Sequence, residues 1–236
     1  MKLLSSYRLN KIFVMKKLLP ALLICFLIQD ASAQKDKNKE ATVPNWQIGS
    51  VLGLIRMTGL PSGIDEQLSF GSKLEILRNL KISPNNYLSF GLGFESNVHI
   101  ADGTFYKVFD DYSFALTLPL VKQNALNLDY IQLPIMYKYC WLNSASINFG
   151  PYFSYLLNAR SRYKVGTDKF KDDLPIQNEF HYGLRLEMDA WKFEPKSSKT
   201  GSVFGLGLQY QLSRHIDGER SFKPLFAYLK VGIVIK

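Results

Sequence analysis

Between residues 86 and 99, large apolar side chains fall on every second position. Leu88, Phe90, Leu92 and Phe94 share one parity, and Ser89, Gly91, Gly93 and Glu95 share the other. The same period recurs further on. Phe180, Tyr182, Leu184, Leu186 and Met188 oppose His181, Gly183, Arg185, Glu187 and Asp189, while Leu206, Leu208, Tyr210 and Leu212 oppose Gly207, Gln209, Gln211 and Ser213. A period of two is the signature of a strand with two unlike faces.

Eight such segments are predicted, over residues 45–57, 68–82, 86–99, 126–141, 146–159, 177–192, 202–213 and 223–235. Several exceed the 5–6 residues usual in soluble sheets and suit the roughly 9–11 residues of a tilted strand crossing a membrane. Connector lengths alternate as well. Ser83-Pro84-Asn85-Asn86, Leu142 to Ala145 and Glu194 to Gly201 are short, whereas 58–67, 100–125, 160–176 and 214–222 are longer. Short turns on one side and long loops on the other are the topology of an up-and-down transmembrane barrel with its short side in the periplasm. The predicted fold is therefore all-β: an eight-stranded antiparallel up-and-down transmembrane β-barrel. Phe114-Ala115-Leu116-Thr117-Leu118 offers a ninth strand that would need a partner, so ten strands are the alternative count.

Soluble sandwiches and lipocalin-like barrels alternate too, with the apolar face turned inward. Charge argues for the reverse orientation. Lys73, Glu75, Glu95, Arg185, Glu187, Asp189 and Lys230 lie mid-strand, opposite broad faces of large aliphatic and aromatic residues. Eight strands enclose a space that side chains can just fill, and the expected filling is a lumen network of these charges. The tryptophans supply an independent sign. Trp46 starts the first strand, and Trp141 and Trp191 end the fourth and sixth, so all three fall near the periplasmic interface together with Tyr137 and Tyr139, where an aromatic girdle is expected. Trp191 has inward parity, which predicts a bulge or a register change there. Pro134, lacking a ladder donor, is expected to mark another bulge.

The N-terminus bears on the compartment. Met15-Lys16-Lys17, the eleven apolar residues Leu18 to Ile28 and the small-residue site Ala31-Ser32-Ala33 describe a secretory signal peptide. The expected organisation is a signal peptide over 1–33, with 1–14 upstream of a complete signal, a periplasmic segment over 34–44 and a barrel over 45–236. Cys25 lies in the apolar core of the signal behind Ile24, where a lipoprotein signal needs a small residue, leaving Cys140 as a lone thiol. Without residues 1–33 the chain carries 24 basic against 19 acidic residues, a balance of +5 with no dense basic block. That excludes a nucleic-acid footprint and favours an anionic membrane surface as counterpart.

Leu128-Asp129-Tyr130-Ile131-Gln132-Leu133-Pro134-Ile135-Met136-Tyr137-Lys138-Tyr139 resembles the Tyr-x-Glu-Ile-Pro-x-x-x-Lys-Tyr strand of the outer-membrane β-barrel domain family that includes the PorT-like proteins, with Gln132 in place of Glu. Phe149-Gly150-Pro151-Tyr152-Phe153-Ser154-Tyr155-Leu156-Leu157 resembles the next strand of that family. Leu229-Lys230-Val231-Gly232-Ile233-Val234-Ile235 is similar to its closing strand, although Ile235-Lys236 stand where barrel insertion signals commonly carry an aromatic residue. The resemblance implies an outer-membrane barrel exported through the Sec pathway. Through the PorT-like members it also implies a part in type IX secretion.

Candidate chemistry is sparse. His99 and His215, with Ser213 and Asp217, fall near the extracellular rim, where a Ser/His/acid set would suit a lipid hydrolase. No Gly-x-Ser-x-Gly motif accompanies them. His181 stands apart, no Cys/His spacing suits zinc, and Asp102, Asp110 and Asp111 lack a calcium-loop pattern. Gly91-Leu92-Gly93 and Gly205-Leu206-Gly207 fall within strands, where glycine relieves crowding, so they are not read as phosphate loops. The expectation is a non-enzymatic envelope protein without cofactor or metal, structural or part of a protein-export assembly and acting through its loops. A narrow solute channel is the runner-up and a lipid hydrolase the third reading. Expected partners are outer-membrane lipids and lipopolysaccharide, the barrel-assembly machinery and secretion-system proteins.

Overall fold

Alternating faces leave each strand with an apolar side to cover and a polar side to pair, and closure into a ring satisfies both. In the computed structural model, residues 43–58, 65–102, 121–165, 168–173, 178–194, 198–213 and 223–236 are described. They form nine strands: β1 (Trp46–Thr58), β2 (Asp65–Ser83), β3 (Asn86–Asp102), β4 (Val121–Leu142), β5 (Ala145–Val165), β6 (Asp168–Asp173), β7 (Phe180–Lys192), β8 (Thr200–Gln211) and β9 (Lys223–Ile235). Eight of them run in the order β4-β3-β2-β1-β9-β8-β7-β5, and β5 pairs back onto β4 to close an antiparallel barrel. The ninth, β6, pairs only with the upper end of β5 and stands outside the ring. The segment 114–118, the expected signal peptide over 1–33, and His215 and Asp217 lie outside the described residues.

The two ends of the barrel differ. Tight turns at Pro84–Asn85 and Asn143–Ser144 share one end with the pairing of Trp46 to Ile235, where the chain enters and leaves the ring. At the other end β4 and β5 run on for 22 and 21 residues, well past the 9–11 that a membrane crossing needs. The register of this tall pair shifts near each end, between Val121 and Asn124 and between Cys140 and Leu142, and once mid-strand, where Asp129 faces Asn158 and Tyr130 faces Leu156, so Leu157 is the extra residue of a bulge.

Pro134 is not a bulge. It faces Tyr152 in a register that continues unchanged from Leu133–Phe153 to Tyr137–Phe149, and the β3–β4 register is the same on both sides of it. The missing donor is absorbed as a short gap in the β3–β4 ladder, so no inserted residue is needed. Trp191 also departs from expectation. The β7–β8 register passes through it without a shift, and its ring points into the barrel at 4% exposure, so it is not an interface aromatic. Its parity is real: the ring packs with Tyr87, Cys140, Val203 and Val234, and Val43 and Phe193 rest against this cluster to stopper the short-turn end. Asn79 secures the incoming chain there, its amide N–H donating to the Asn45 carbonyl at 2.8 Å and its Nδ2 to the Pro44 carbonyl at 2.7 Å.

The molecule is inside-out relative to a soluble protein. Large apolar side chains such as Leu52, Leu74, Leu92, Phe149, Leu186 and Leu229 are exposed around the outside, and the interior holds charged and amide side chains. Only a lipid environment covers so continuous an apolar exterior. Leu92, at 61% exposure in mid-strand, reports that environment. Leu92→Arg is expected to lose about 2–4 kcal/mol of stability in lipid vesicles, read from denaturant unfolding. Leu92→Phe should stay near the parent.

Candidate functional site

Strand parity alone aims Arg185, Glu187 and Asp189 of β7 at the barrel axis, one above another, with the apolar Leu184, Leu186 and Met188 turned outward. The other barrel strands contribute at matching heights: Gln47 from β1, Lys73 and Glu75 from β2, Glu95 from β3, Gln132 and Lys138 from β4, Asn148 from β5, Gln209 from β8, and Tyr228 and Lys230 from β9. Among the described residues, four buried cations (Lys73, Lys138, Arg185, Lys230) meet four buried carboxylates (Glu75, Glu95, Glu187, Asp189). The interior is thus charge-balanced.

Arg185 is the centre. Its Nη2 lies 2.6 Å from Glu75 Oε2 and 2.8 Å from Oε1, and its Nε donates to Glu187 Oε1 at 2.8 Å. Lys230 Nζ, one step toward the short-turn end, lies 2.9 Å from Glu187 Oε2 and 2.7 Å from Asp189 Oδ1. Asp189 Oδ2 accepts from Asn148 Nδ2 at 2.8 Å, with Lys138 Nζ 3.9 Å away and also over the Trp191 ring. Above Arg185, Lys73 Nζ donates to Gln209 Oε1 at 3.2 Å and lies 3.7 Å from Glu75. Glu95 accepts from Asn97 and Gln132 at 2.7 Å and from Gln209 at 3.1 Å. Tyr228 donates its hydroxyl to Glu187 at 2.5 Å.

Glycine makes room for this packing. A Cβ on Gly207 would lie 2.2 Å from the Tyr228 ring, and one on Gly205 would lie 2.4 Å from Asp189 Oδ1. Hence the Gly205-Leu206-Gly207 stretch: its inward positions must be empty for its neighbours across the strands to fill the lumen.

The seven charges named from the sequence all lie in this interior. Trp46, Tyr137, Tyr139 and Trp141 stand exposed on the outside near the short-turn end, with the Arg78 guanidinium over the Trp46 ring. Lys138 and Tyr228 join the same interior, each sharing the inward parity of a polar or charged neighbour on its strand, Gln132 and Lys230 respectively. His99 lies toward the long-loop end of β3 but points inward and is wholly buried. It is therefore no part of an accessible rim set. Ser213 Oγ lies 3.3 Å from Nδ1 of His181 and accepts from the Tyr182 amide at 3.0 Å. Among the described residues no group of His, Cys, Asp and Glu is placed to hold a metal ion.

Residues 32–213 match the family model of the outer membrane protein beta-barrel domain. The chain belongs to that family. Its place is accordingly the bacterial outer membrane, as the apolar exterior requires. No curated protein matches the sequence. Among solved structures, Neisserial surface protein A (NspA) is 10% identical, over 81% of this chain and 97% of its own, with a TM-score of 0.50. Ail, the attachment invasion locus protein of Yersinia pestis, is 11% identical over 81% and 99% with a TM-score of 0.37. OmpT, the outer membrane protease of Escherichia coli, is 8% identical over 81% and 93% with a TM-score of 0.34. At these identities the likeness to NspA is one of fold alone.

Removing one member of a buried pair leaves an uncompensated charge. Arg185→Met is expected to lower stability by about 3–5 kcal/mol, with a smaller combined loss when Glu75→Gln is added. Urea unfolding midpoints in lipid vesicles measure both. Purely additive losses would contradict the coupling of Arg185 to Glu75.

Proposed function

We propose that this outer-membrane barrel is a non-enzymatic mount for the β-structure it raises above the membrane, and that it serves a protein-export assembly of the PorT-like kind. The observation that carries this reading is the filled interior. A lumen packed with mutually paired charges and stoppered by the Trp191 cluster leaves little to conduct a solute. The tall β4–β5 pair and the added β6 give the opposite end material for recognition. The export route in this reading is a Sec signal peptide over 1–33, followed by insertion through the barrel-assembly machinery.

Contacts at the long-loop end favour a binding role over hydrolysis. The Ser213 hydroxyl is engaged with the Tyr182 backbone, and His181 Nδ1 also has Gln211 Nε2 at 3.2 Å. Such a pair closes the end of a strand.

Single-channel recording of the purified mature protein tests the closed interior. No stable conductance steps are expected, in the parent or in Gln211→Ala. Reproducible, salt-dependent steps would favour the narrow-channel reading. Crosslinking in the native envelope tests the assembly role: recovery of secretion components with the barrel is expected, and recovery of none would overturn it.

A further inference from the structure

The hairpin that leaves the barrel wall carries an unusual charge register. In the β5–β6 pairing Arg160 faces Asp173, Arg162 faces Lys171, and Lys164 faces Lys169. Directly opposed residues of an antiparallel pair project to the same face, and opposed like charges destabilise it. The Arg162–Lys171 position thus sets two cations opposite one another. Arg162 and Lys171 are exposed. On the other side of β5, Arg162 faces Ala125 of β4, so that register position brings no acid either. The nearest described carboxylate along β4, Asp129, already accepts from Ser96 at 2.6 Å and Asn158 at 3.0 Å.

Height adds the second observation. The outward apolar side chains of β5 run from Ile147 through Phe149 and Tyr155 to Leu157, about the length of one crossing. Arg160 follows three residues later, about 10 Å further along a tilted strand. That distance matches the polar layer flanking the hydrocarbon, roughly 5–8 Å deep in each leaflet. The cationic end of the hairpin thus emerges at the level of lipid headgroups on the long-loop side, which is the outer leaflet in the outer-membrane reading on which this inference rests.

We propose that the Arg162–Lys171 pair of the β5–β6 hairpin binds the phosphate groups of the phosphorylated glycolipid in the outer leaflet. A dianionic phosphate bound there turns the repulsive Arg162–Lys171 pair into two charge-assisted contacts, so the ligand and the hairpin order one another.

The test uses the mature protein folded in detergent, with a boiling-dependent gel shift as the check that the barrel has formed. The probes are lipopolysaccharide, the same lipopolysaccharide after dephosphorylation, and inorganic phosphate. The parent should bind phosphorylated lipopolysaccharide at least about tenfold more tightly than the dephosphorylated form, and Arg162→Gln/Lys171→Gln should lose about that factor. Lys171→Glu should abolish the preference while keeping the hairpin, because it gives Arg162 an opposite charge across the pair. Arg78→Gln/Lys192→Gln, at the short-turn end, should bind as the parent does. Equal binding of both lipopolysaccharides, or unchanged binding by both hairpin variants, overturns the proposal. Displacement by equimolar inorganic phosphate assigns the site to free phosphate and overturns the lipid. Failure to show a gel shift at all counts against the membrane barrel itself and not against the hairpin.

Discussion

The narrowness of an eight-stranded ring governs the rest of this molecule. The lumen is too small for a water-filled passage and too large to stay empty, so every inward side chain is packed against others from across the ring. Because the apolar faces are turned to lipid, the inward faces are polar, and their charges leave water on folding. Such charges persist only if they are matched. The arrangement follows: four cations against four carboxylates, amides from Gln132 and Gln209 bonding to Glu95 and from Asn148 to Asp189, and glycine wherever a large neighbour needs the space. Arg185 is the natural hub, since its planar fork reaches Glu75 on one side and Glu187 on the other.

The same constraint separates two kinds of surface. Within the membrane the exterior is uniform, apolar and interchangeable, and the interior is individual but hidden. In the proposed role, recognition falls to what rises above the bilayer. β5 illustrates the transition within one strand. It presents Phe149, Tyr155 and Leu157 to lipid, shifts register at the Leu157 bulge, and then carries Arg160 and Arg162 into the hairpin with β6. The bulge resets parity, so that Ala159 faces the interior and its neighbours Arg160 and Arg162 do not.

Much of this was legible in the alternation itself, because in a barrel the period-two pattern and the tertiary environment are the same fact. The eight ring strands fall where the pattern puts them, within a few residues at most ends, and Arg185, Glu187 and Asp189 share a face by counting alone. What counting cannot supply is partnership. Arg185 and Glu75 are 110 positions apart, and only closure of β9 onto β1 and β5 onto β4 sets their relative height. Two errors have a common source. Residue type alone makes Trp191 a girdle aromatic and Pro134 a bulge marker, whereas strand parity already turns Trp191 inward. β6 is not legible in the alternation because its six residues, Asp168 to Asp173, are mostly charged and carry no apolar face. It exists as an extension of β5 and not as a wall of the barrel.

Hydrogen exchange at the Arg185 guanidinium, followed by nuclear magnetic resonance with the barrel in lipid nanodiscs, tests the dry, paired interior most directly. A side chain bonded to Glu75 and Glu187 and buried in the lumen should exchange its Nε proton orders of magnitude more slowly than the outward-facing Arg56 and Arg78. Exchange at the same rate in all three would mean a hydrated lumen and would contradict the account.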